Sequence, residues 1–241
     1  MKLLILSDIH GNLNAMNEVL TYIKKIQIDG LALLGDFIDY CPHSNEVVKL
    51  ISELKLPVIC SIWGNHEDAI LCDHYDRFSS PRGADSARYT KSTLDSNTLE
   101  YLNSIMSKSG QQEFSIDGKK YLAVHGTIED FYWGKFDVQK DLSAYSDYDV
   151  VLMGHSHRPV FYEAFFKCEN PETRNQKKTI FINPGSVGQP RNLNPNSQFA
   201  IFDTETQECE FIKLRYNIKD EQKDFSDKVD PFYRTRLEAG V

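Results

Sequence analysis

Leu3-Leu4-Ile5-Leu6-Ser7-Asp8-Ile9-His10-Gly11-Asn12 is the stretch whose reading decides the fold. Four consecutive apolar residues that stop at a polar, acid-bearing turn read as a strand buried on both faces, as strands of parallel sheets are. The pattern recurs. Leu31–Leu34 runs into Gly35-Asp36, Val58–Trp63 into Gly64-Asn65-His66-Glu67, Tyr121–Val124 into His125-Gly126, and Val150–Met153 into Gly154-His155-Ser156-His157. In open α/β sheets the ligand site lies beyond the carboxyl ends of the strands. If these ends are neighbours in space, their donors form one cluster of carboxylate, amide and imidazole, which is a metal site.

Outward from the first run, Ala15, Val19, Ile23 and Ile26 recur at helical spacing, with Asn12 or Asn14 able to cap the start. Ser44 likewise caps a stripe of Val47, Val48, Ile51 and Leu54 that Pro57 ends. This is a βαβαβ pattern with parallel strands. Residues 67–106 are polar and Ser-rich, with weak helical patterning around Ala84, Ala87, Leu94, Leu99 and Leu102, and predict helices over the face of the site. From Phe114 onward, strand-like runs near 114–116, 120–125, 150–153, 160–166, 179–182, 199–202 and 208–214 predict a second sheet packed on the first, with turns such as Asp117-Gly118. Glu169–Lys178 reads as an exposed hairpin tip, and Tyr233, Leu237 and Val241 mark a closing helix. With no repeat or clear linker, residues 1–241 read as one α/β domain.

A domain of 241 residues buries roughly three quarters of its unfolded surface, enough for a core without staples. The net charge of -8 argues against unspecific binding to nucleic acid or an anionic membrane. Bound divalent ions would still reverse the sign locally for an anionic substrate. The five cysteines are scattered without a C-x-x-C pair and read as free thiols, which with the lack of a long apolar run predicts a cytoplasmic protein.

Taken singly, the motifs differ in weight. Gly35-Asp36 and His125-Gly126 are common turns, and Asp8 has the ordinary alternative of a helix cap. In Asp8-Ile9-His10 one intervening residue on an extended segment would aim both donors the same way. Two imidazoles around a small residue, as in His155-Ser156-His157, seldom arise from packing. His43 and His74 lie off the motifs and read as surface or core residues.

The ordered series D-x-H, G-D, G-N-H-[DE], H-G and G-H-x-H, here from Asp8 to His157, resembles the calcineurin-like metallophosphoesterase superfamily. Asn183-Pro184-Gly185-Ser186-Val187-Gly188-Gln189-Pro190-Arg191, and Asp36 continuing to Asp39-Tyr40, resemble its small bacterial branch related to diadenosine tetraphosphatases and predicted phosphodiesterases. The resemblance implies a four-layer α/β/β/α sandwich holding two divalent metal ions, with Mn foremost and Fe, Ni, Zn or Mg as other candidates. One ion would be held by Asp8, His10 and His157, the other by Asn65, His125 and His155, with Asp36 bridging. It implies direct attack by water and a role for His66 in protonating the leaving oxygen or stabilising the charge there, with Glu67 either orienting its ring or starting a solvated helix.

The substrate so implied is a phosphodiester or phosphoanhydride of a nucleotide or dinucleoside polyphosphate. The alternatives are a phosphomonoesterase or Ser/Thr protein phosphatase, against which stand Tyr40 in the place of an Arg and the G-H-x-H pair, and a metal-bound interaction scaffold. Phe131-Tyr132-Trp133 follows His125 closely, so Trp133 is a candidate for stacking on a base, with core packing as the alternative. Arg191 reads equally as a phosphate clamp or a structural salt bridge. The residues leave the oligomeric state open.

Overall fold

The computed structural model describes residues 1–172 and 176–241. The chain opens with β1 (Lys2–Leu6), α1 (Leu13–Ile23), β2 (Gly30–Leu33), α2 (Ser44–Ser52) and β3 (Val58–Ser61). Three helices follow, α3 (Asn65–Leu71), α4 (Pro81–Thr93) and α5 (Ser96–Ser104). Then come β4 (Gln111–Ile116), β5 (Lys119–Val124), β6 (Val150–Met153), β7 (Pro159–Phe165), β8 (Lys178–Pro184), β9 (Ser197–Asp203) and β10 (Cys209–Leu214), and finally α6 (Ile218–Lys223) and α7 (Pro231–Ala239).

Two five-stranded sheets result, ordered β10-β9-β1-β2-β3 and β4-β5-β6-β8-β7. In the first, β1, β2 and β3 run parallel, as their continuous apolar runs predict. In the second, β5, β6 and β8 are parallel, with β4 and β7 as antiparallel edges. The later strands do not all join that second sheet: β9 pairs antiparallel with β1 and carries β10 with it. The reason is burial. Residues 197–202 are covered on both faces, which an edge of the second sheet would not provide.

Alternation along the strands divides the core in three. Leu3, Ile5, Ala32, Tyr121, Ala123, Leu152 and Ile182 meet between the sheets. Leu4, Leu6, Leu31 and Leu33 face the other way, onto Ala15, Met16 and Val19 of α1 and Val47, Val48 and Ile51 of α2. Leu122, Val124, Val151 and Phe181 form the outer face of the second sheet, under Phe131, Phe136 and Tyr145. The chain is thus an α/β fold of two mixed sheets flanked by helices. The cover of the second sheet comes from the segment between β5 and β6, where a single 3-10 turn at Ser143–Tyr145 is the regular element.

Local chemistry explains most ends. Asn12 caps α1, its side chain accepting the Ala15 N–H at 3.0 Å. Ser44 does not cap α2: the cap position is His43, and the Ser44 hydroxyl accepts the Asp39 N–H at 3.1 Å instead. The apolar stripes also outrun their helices, since Ile26 and Leu54 lie past α1 and α2 and Val241 past α7. Asp117 and Gly118, with φ of 51° and 77°, make the tight turn between β4 and β5. Glu169–Lys178 joins the antiparallel pair β7 and β8, as a hairpin tip does, with Thr173–Asn175 of it outside the described residues. All five cysteines are free thiols, and no helix among the described residues is long and apolar enough to cross a membrane.

Candidate active site

The carboxyl ends of β1, β2, β3, β5 and β6 converge at one end of the two sheets. The convergence is not that of extended segments. Asp8, His10, Asp36, His155 and His157 all have left-handed backbone, with φ of 53°, 51°, 55°, 62° and 55°. β1, β2 and β6 therefore curl at their ends, and the D-x-H and H-x-H donors meet because two left-handed residues bracket one turn. Asp and His tolerate this region better than most residues.

The curl is locked by its neighbours. The N–H groups of Asp8, His10 and Gly11 donate to the carbonyls of Gly35, Asp36 and Phe37 at 3.1, 2.9 and 2.8 Å. Gly64 packs so close that a Cβ there would lie 2.1 Å from Asp36 Oδ1. Glu67 neither orients the His66 ring nor starts a solvated helix. Fully buried, it accepts the N–H groups of Asp36, Phe37 and Gly64 at 2.8, 2.7 and 2.8 Å, binding the turn after β2 to the turn after β3. The Asn183–Arg191 segment is a second clamp: Ser186 Oγ and Gly188 N donate to the Asp8 carbonyl, and Gln189 O accepts from His157 Nδ1 at 2.6 Å.

Two donor groups share one residue. Asp8, His10, Asp36 and His157 each bring an atom to within 4.8 Å of the others, and so do Asp36, His125 and His155. Asn65 belongs with the second group, its Oδ1 lying 3.0 Å from His125 Nε2 and 2.8 Å from His155 Nδ1. All seven predicted donors are therefore together and buried. Backbone carbonyls set the rings: Nδ1 of His10, His125 and His157 faces the carbonyl of Ile38, Leu34 and Gln189, which leaves Nε2 pointing inward. His155 turns its Nδ1 inward instead.

These donors fit a divalent cation. Asp8 Oδ1 and Asp36 Oδ2 are buried carboxylate oxygens without a well-aligned hydrogen bond, facing only imidazole nitrogens, His157 Nε2 at 3.1 Å and His125 Nε2 at 3.2 Å, an all-donor cluster that suits a coordinated cation. Oxygen and nitrogen donors of this kind suit first-row ions such as Mn, Fe, Ni or Zn. Burial pushes the imidazolium forms of His10 and His157 well down, and burial together with His125 takes His155 to about 3. Neutral imidazoles are the ligating form. His125 goes the other way, to about 9: burial disfavours its charge, but the carboxylate of Asp36, 3.2 Å from its Nε2, outweighs burial.

His66 stands just outside both groups, its Nε2 3.9 Å from Asp36 Oδ2. Its Nδ1 lies 2.7 Å from Asp39 Oδ2, and Asp39 Oδ1 in turn accepts from Ser86 Oγ, Thr90 Oγ1 and the Tyr40 N–H. Burial would lower the His66 pKa, but Asp36 and the Asp39 hydrogen bond carry it above the usual value. Asp39 thus holds the ring, a role the sequence signals only through the spacing Asp36-Phe37-Ile38-Asp39.

A cleft of about 240 Å³ opens over this floor. Trp133 lines it, edge-on to His155 at 5.9 Å and to Phe78 at 5.7 Å, while Tyr132 packs inward and donates to the Lys108 carbonyl. Arg191 also lines it, and among the described residues no carboxylate pairs with it, which removes the salt-bridge reading. Phe78 and Tyr233 complete the walls; the sequence gives no signal for Phe78 and marks Tyr233 only as part of the closing helix. A larger hollow of about 710 Å³ between α2 and α5 lies away from the histidines.

Two sheets with a buried Asp/His/Asn cluster at one end define a metallophosphoesterase. A model of the calcineurin-like phosphoesterase superfamily domain matches residues 1–207, and the chain belongs to that superfamily, whose hydrolases use divalent metal ions. MJ0912 of Methanocaldococcus jannaschii, an uncharacterized protein, is 31% identical over 221 residues, 89% of this chain and 88% of that one. The phosphodiesterase YfcE of Escherichia coli is 26% identical over 214 residues, 85% of this chain and 89% of that one. A metallophosphoesterase of Sphaerobacter thermophilus has the same fold, with a TM-score of 0.78 and 28% identity over the full length of both chains.

Proposed function

We propose that this protein is a dimetal phosphodiesterase or pyrophosphohydrolase acting on small nucleotides in the cytoplasm. The observation that carries the reading is the pair of buried donor groups meeting at Asp36, whose two carboxylate oxygens Asp8 Oδ1 and Asp36 Oδ2 face only imidazole nitrogens. Asp8, His10 and His157 would hold one ion, Asn65, His125 and His155 the other, and Asp36 both, its charge offsetting their repulsion. Such a pair, with Mn the favoured ion, supplies Lewis-acid polarisation of the phosphoryl group and an activated water.

The chain's own residues do the rest. His66, held by Asp39, carries a proton on the Nε2 that faces the cleft and delivers it to the departing oxygen. Trp133 and Phe78 offer aromatic faces to a base, a contact worth about 1–3 kcal/mol and tolerant of base identity. Arg191 meets phosphoryl oxygens with a planar fork of donors. Tyr40 stacks on Tyr233 and abuts His10 and His66, so no arginine stands there to favour a monoester dianion.

Hydrolysis of bis-p-nitrophenyl phosphate against p-nitrophenyl phosphate, with Mn and after chelation, tests the reading. The diester should be the better substrate, with activity lost to chelator and restored by metal. Faster monoester hydrolysis would make the protein a phosphomonoesterase, and no hydrolysis of either would leave a scaffold.

A further inference from the structure

α3 carries donors at both ends. Its first two residues, Asn65 and His66, belong to the site above. Asp68 and Cys72 follow four residues apart, on one side of the same helix. Cys72 is the C-cap, its N–H donating to the Asp68 carbonyl at 3.0 Å. Asp73 then takes a left-handed φ of 61° and is fixed to Lys91 of α4, its Oδ1 lying 2.6 Å from Nζ. This turn brings the next residue back to the helix: His74 Nδ1 lies 3.0 Å from Asp68 Oδ2.

One oxygen, one sulfur and one nitrogen therefore meet, and Asp68, Cys72 and His74 each bring a ligand atom to within 4.8 Å of the other two. Around a tetrahedral ion with metal–donor distances of about 2.0–2.3 Å, two ligands stand roughly 3.3–3.8 Å apart. The carboxylate and imidazole are already that close, and rotation of the exposed Cys72 side chain makes up the remainder. The donor set differs from the floor of the cleft in the respect that selects the metal. The floor offers oxygen and nitrogen alone, whereas a thiolate is a soft ligand that favours Zn²⁺ over Mn²⁺.

Asp68 has one competing partner. Arg77 Nη1 donates to the same Oδ2 at 3.1 Å, but its side chain is about half exposed, and ion pairs of that kind are weak. A cation bound by a thiolate, an imidazole and a carboxylate displaces it.

We propose that Asp68, Cys72 and His74 form a metal site separate from the floor of the cleft, built for a thiophilic divalent cation such as Zn²⁺. The ion takes Asp68 Oδ2 from Arg77 and leaves its fourth position to water, on the side where Cys72 and His74 reach the surface. The site does not depend on the phosphoesterase reading, because none of its three ligands belongs to the cluster at the strand ends.

The test uses the full-length protein, kept reduced, and takes Co²⁺ as the probe, because a cobalt–thiolate bond gives a near-ultraviolet charge-transfer band that oxygen and nitrogen donors do not. The parent should show the band and Cys72→Ser should lack it. After loading with Zn²⁺, elemental analysis should find one ion fewer per chain in Cys72→Ser than in the parent. His74→Ala should weaken the Co²⁺ affinity read from the band by at least about tenfold, as loss of a donor does. Arg77→Gln should strengthen it about two- to fivefold, the weight of an exposed ion pair that no longer competes. Absence of the band in the parent, or equal zinc content in Cys72→Ser, would leave Asp68 as the acceptor of a surface ion pair and overturn the proposal. So would a band that survives Cys72→Ser, which belongs to another thiol, or one indifferent to His74→Ala, which belongs to a thiol acting alone. An affinity unmoved in Arg77→Gln would remove Asp68 from the ligand set and with it the site. The three substituted side chains all reach solvent, so the variants keep the fold, which an unchanged Tm of the metal-free proteins checks.

Discussion

The floor of the cleft and its walls are built in opposite ways. The floor consists of Asp, Asn and His side chains at strand ends, each held by backbone hydrogen bonds and almost free of solvent. The walls are aromatic and cationic, and come from a loop at Phe78, the turn after β5 at Trp133, the segment ending at Arg191 and the helix carrying Tyr233. The floor defines what chemistry is possible, and the walls define which molecule receives it. Floor variants should therefore depress every substrate together, and wall variants should change one substrate relative to another.

The sharpest break of that contrast is Asp36→Asn. It removes the one carboxylate common to both donor groups, so loss of turnover should exceed the roughly 10²–10⁴-fold typical of an acid–base residue, on all substrates alike, with bound Mn falling in elemental analysis. Normal activity with undiminished metal would show that the two groups do not work through Asp36. Next comes His66→Ala, which should cost about 10²–10⁴-fold while metal content stays nearly intact. Its effect should shrink for nitrophenolate, which leaves without a proton; equal losses on nitrophenolate and alkoxide would place His66 on the phosphoryl charge.

Smaller effects belong to the walls. Trp133→Ala should lower kcat/KM for diadenosine tetraphosphate relative to bis-p-nitrophenyl phosphate by about five- to tenfold, the scale of one lost stacking contact. Parallel losses would make the indole a packing group. Smallest is the anchor of the C-terminal wall, the buried Glu221 of α6, which accepts from Asn14 Nδ2 of α1. The hydrogen bond to Glu221 raises the His43 pKa, so this imidazole holds its proton more tightly folded than unfolded. Its stabilisation is complete below the ordinary imidazole pKa and is lost as pH rises through the raised one. Tm should then drop across that interval, and His43→Gln should flatten the dependence. A slope unchanged in His43→Gln would assign it to another group.

The contrast also explains what could be read in the sequence. The floor was legible because its donors follow consecutive apolar runs, so chain order and spatial order agree. Glu67 was misread because its acceptors bind backbone N–H groups from two different turns, which no local pattern reveals. Asp39 lies three residues from Asp36 within a quoted motif, but its function depends on Ser86 and Thr90 of α4 arriving from the other side. Tyr233 was seen as one tooth of a helical stripe. That its ring reaches Tyr40 follows from the buried Glu221 anchor, a tertiary contact between residues far apart in the chain. The placement of β9 beside β1 was missed for a similar reason, since strand pairing depends on which sheet can cover both faces.

The left-handed backbone under the floor has a consequence for how such a protein can change. At Asp8, His10, Asp36, His155 and His157 the side chain that supplies the chemistry sits on a conformation glycine would adopt more comfortably, by about 1 kcal/mol per position. Wherever the space is open, drift to glycine relaxes the turn while erasing a donor. The fold is then preserved, or even firmer, as catalysis disappears. A lineage of this architecture released from selection on hydrolysis has a downhill path to an inert, well-folded platform, and glycines in place of these five residues would be its trace.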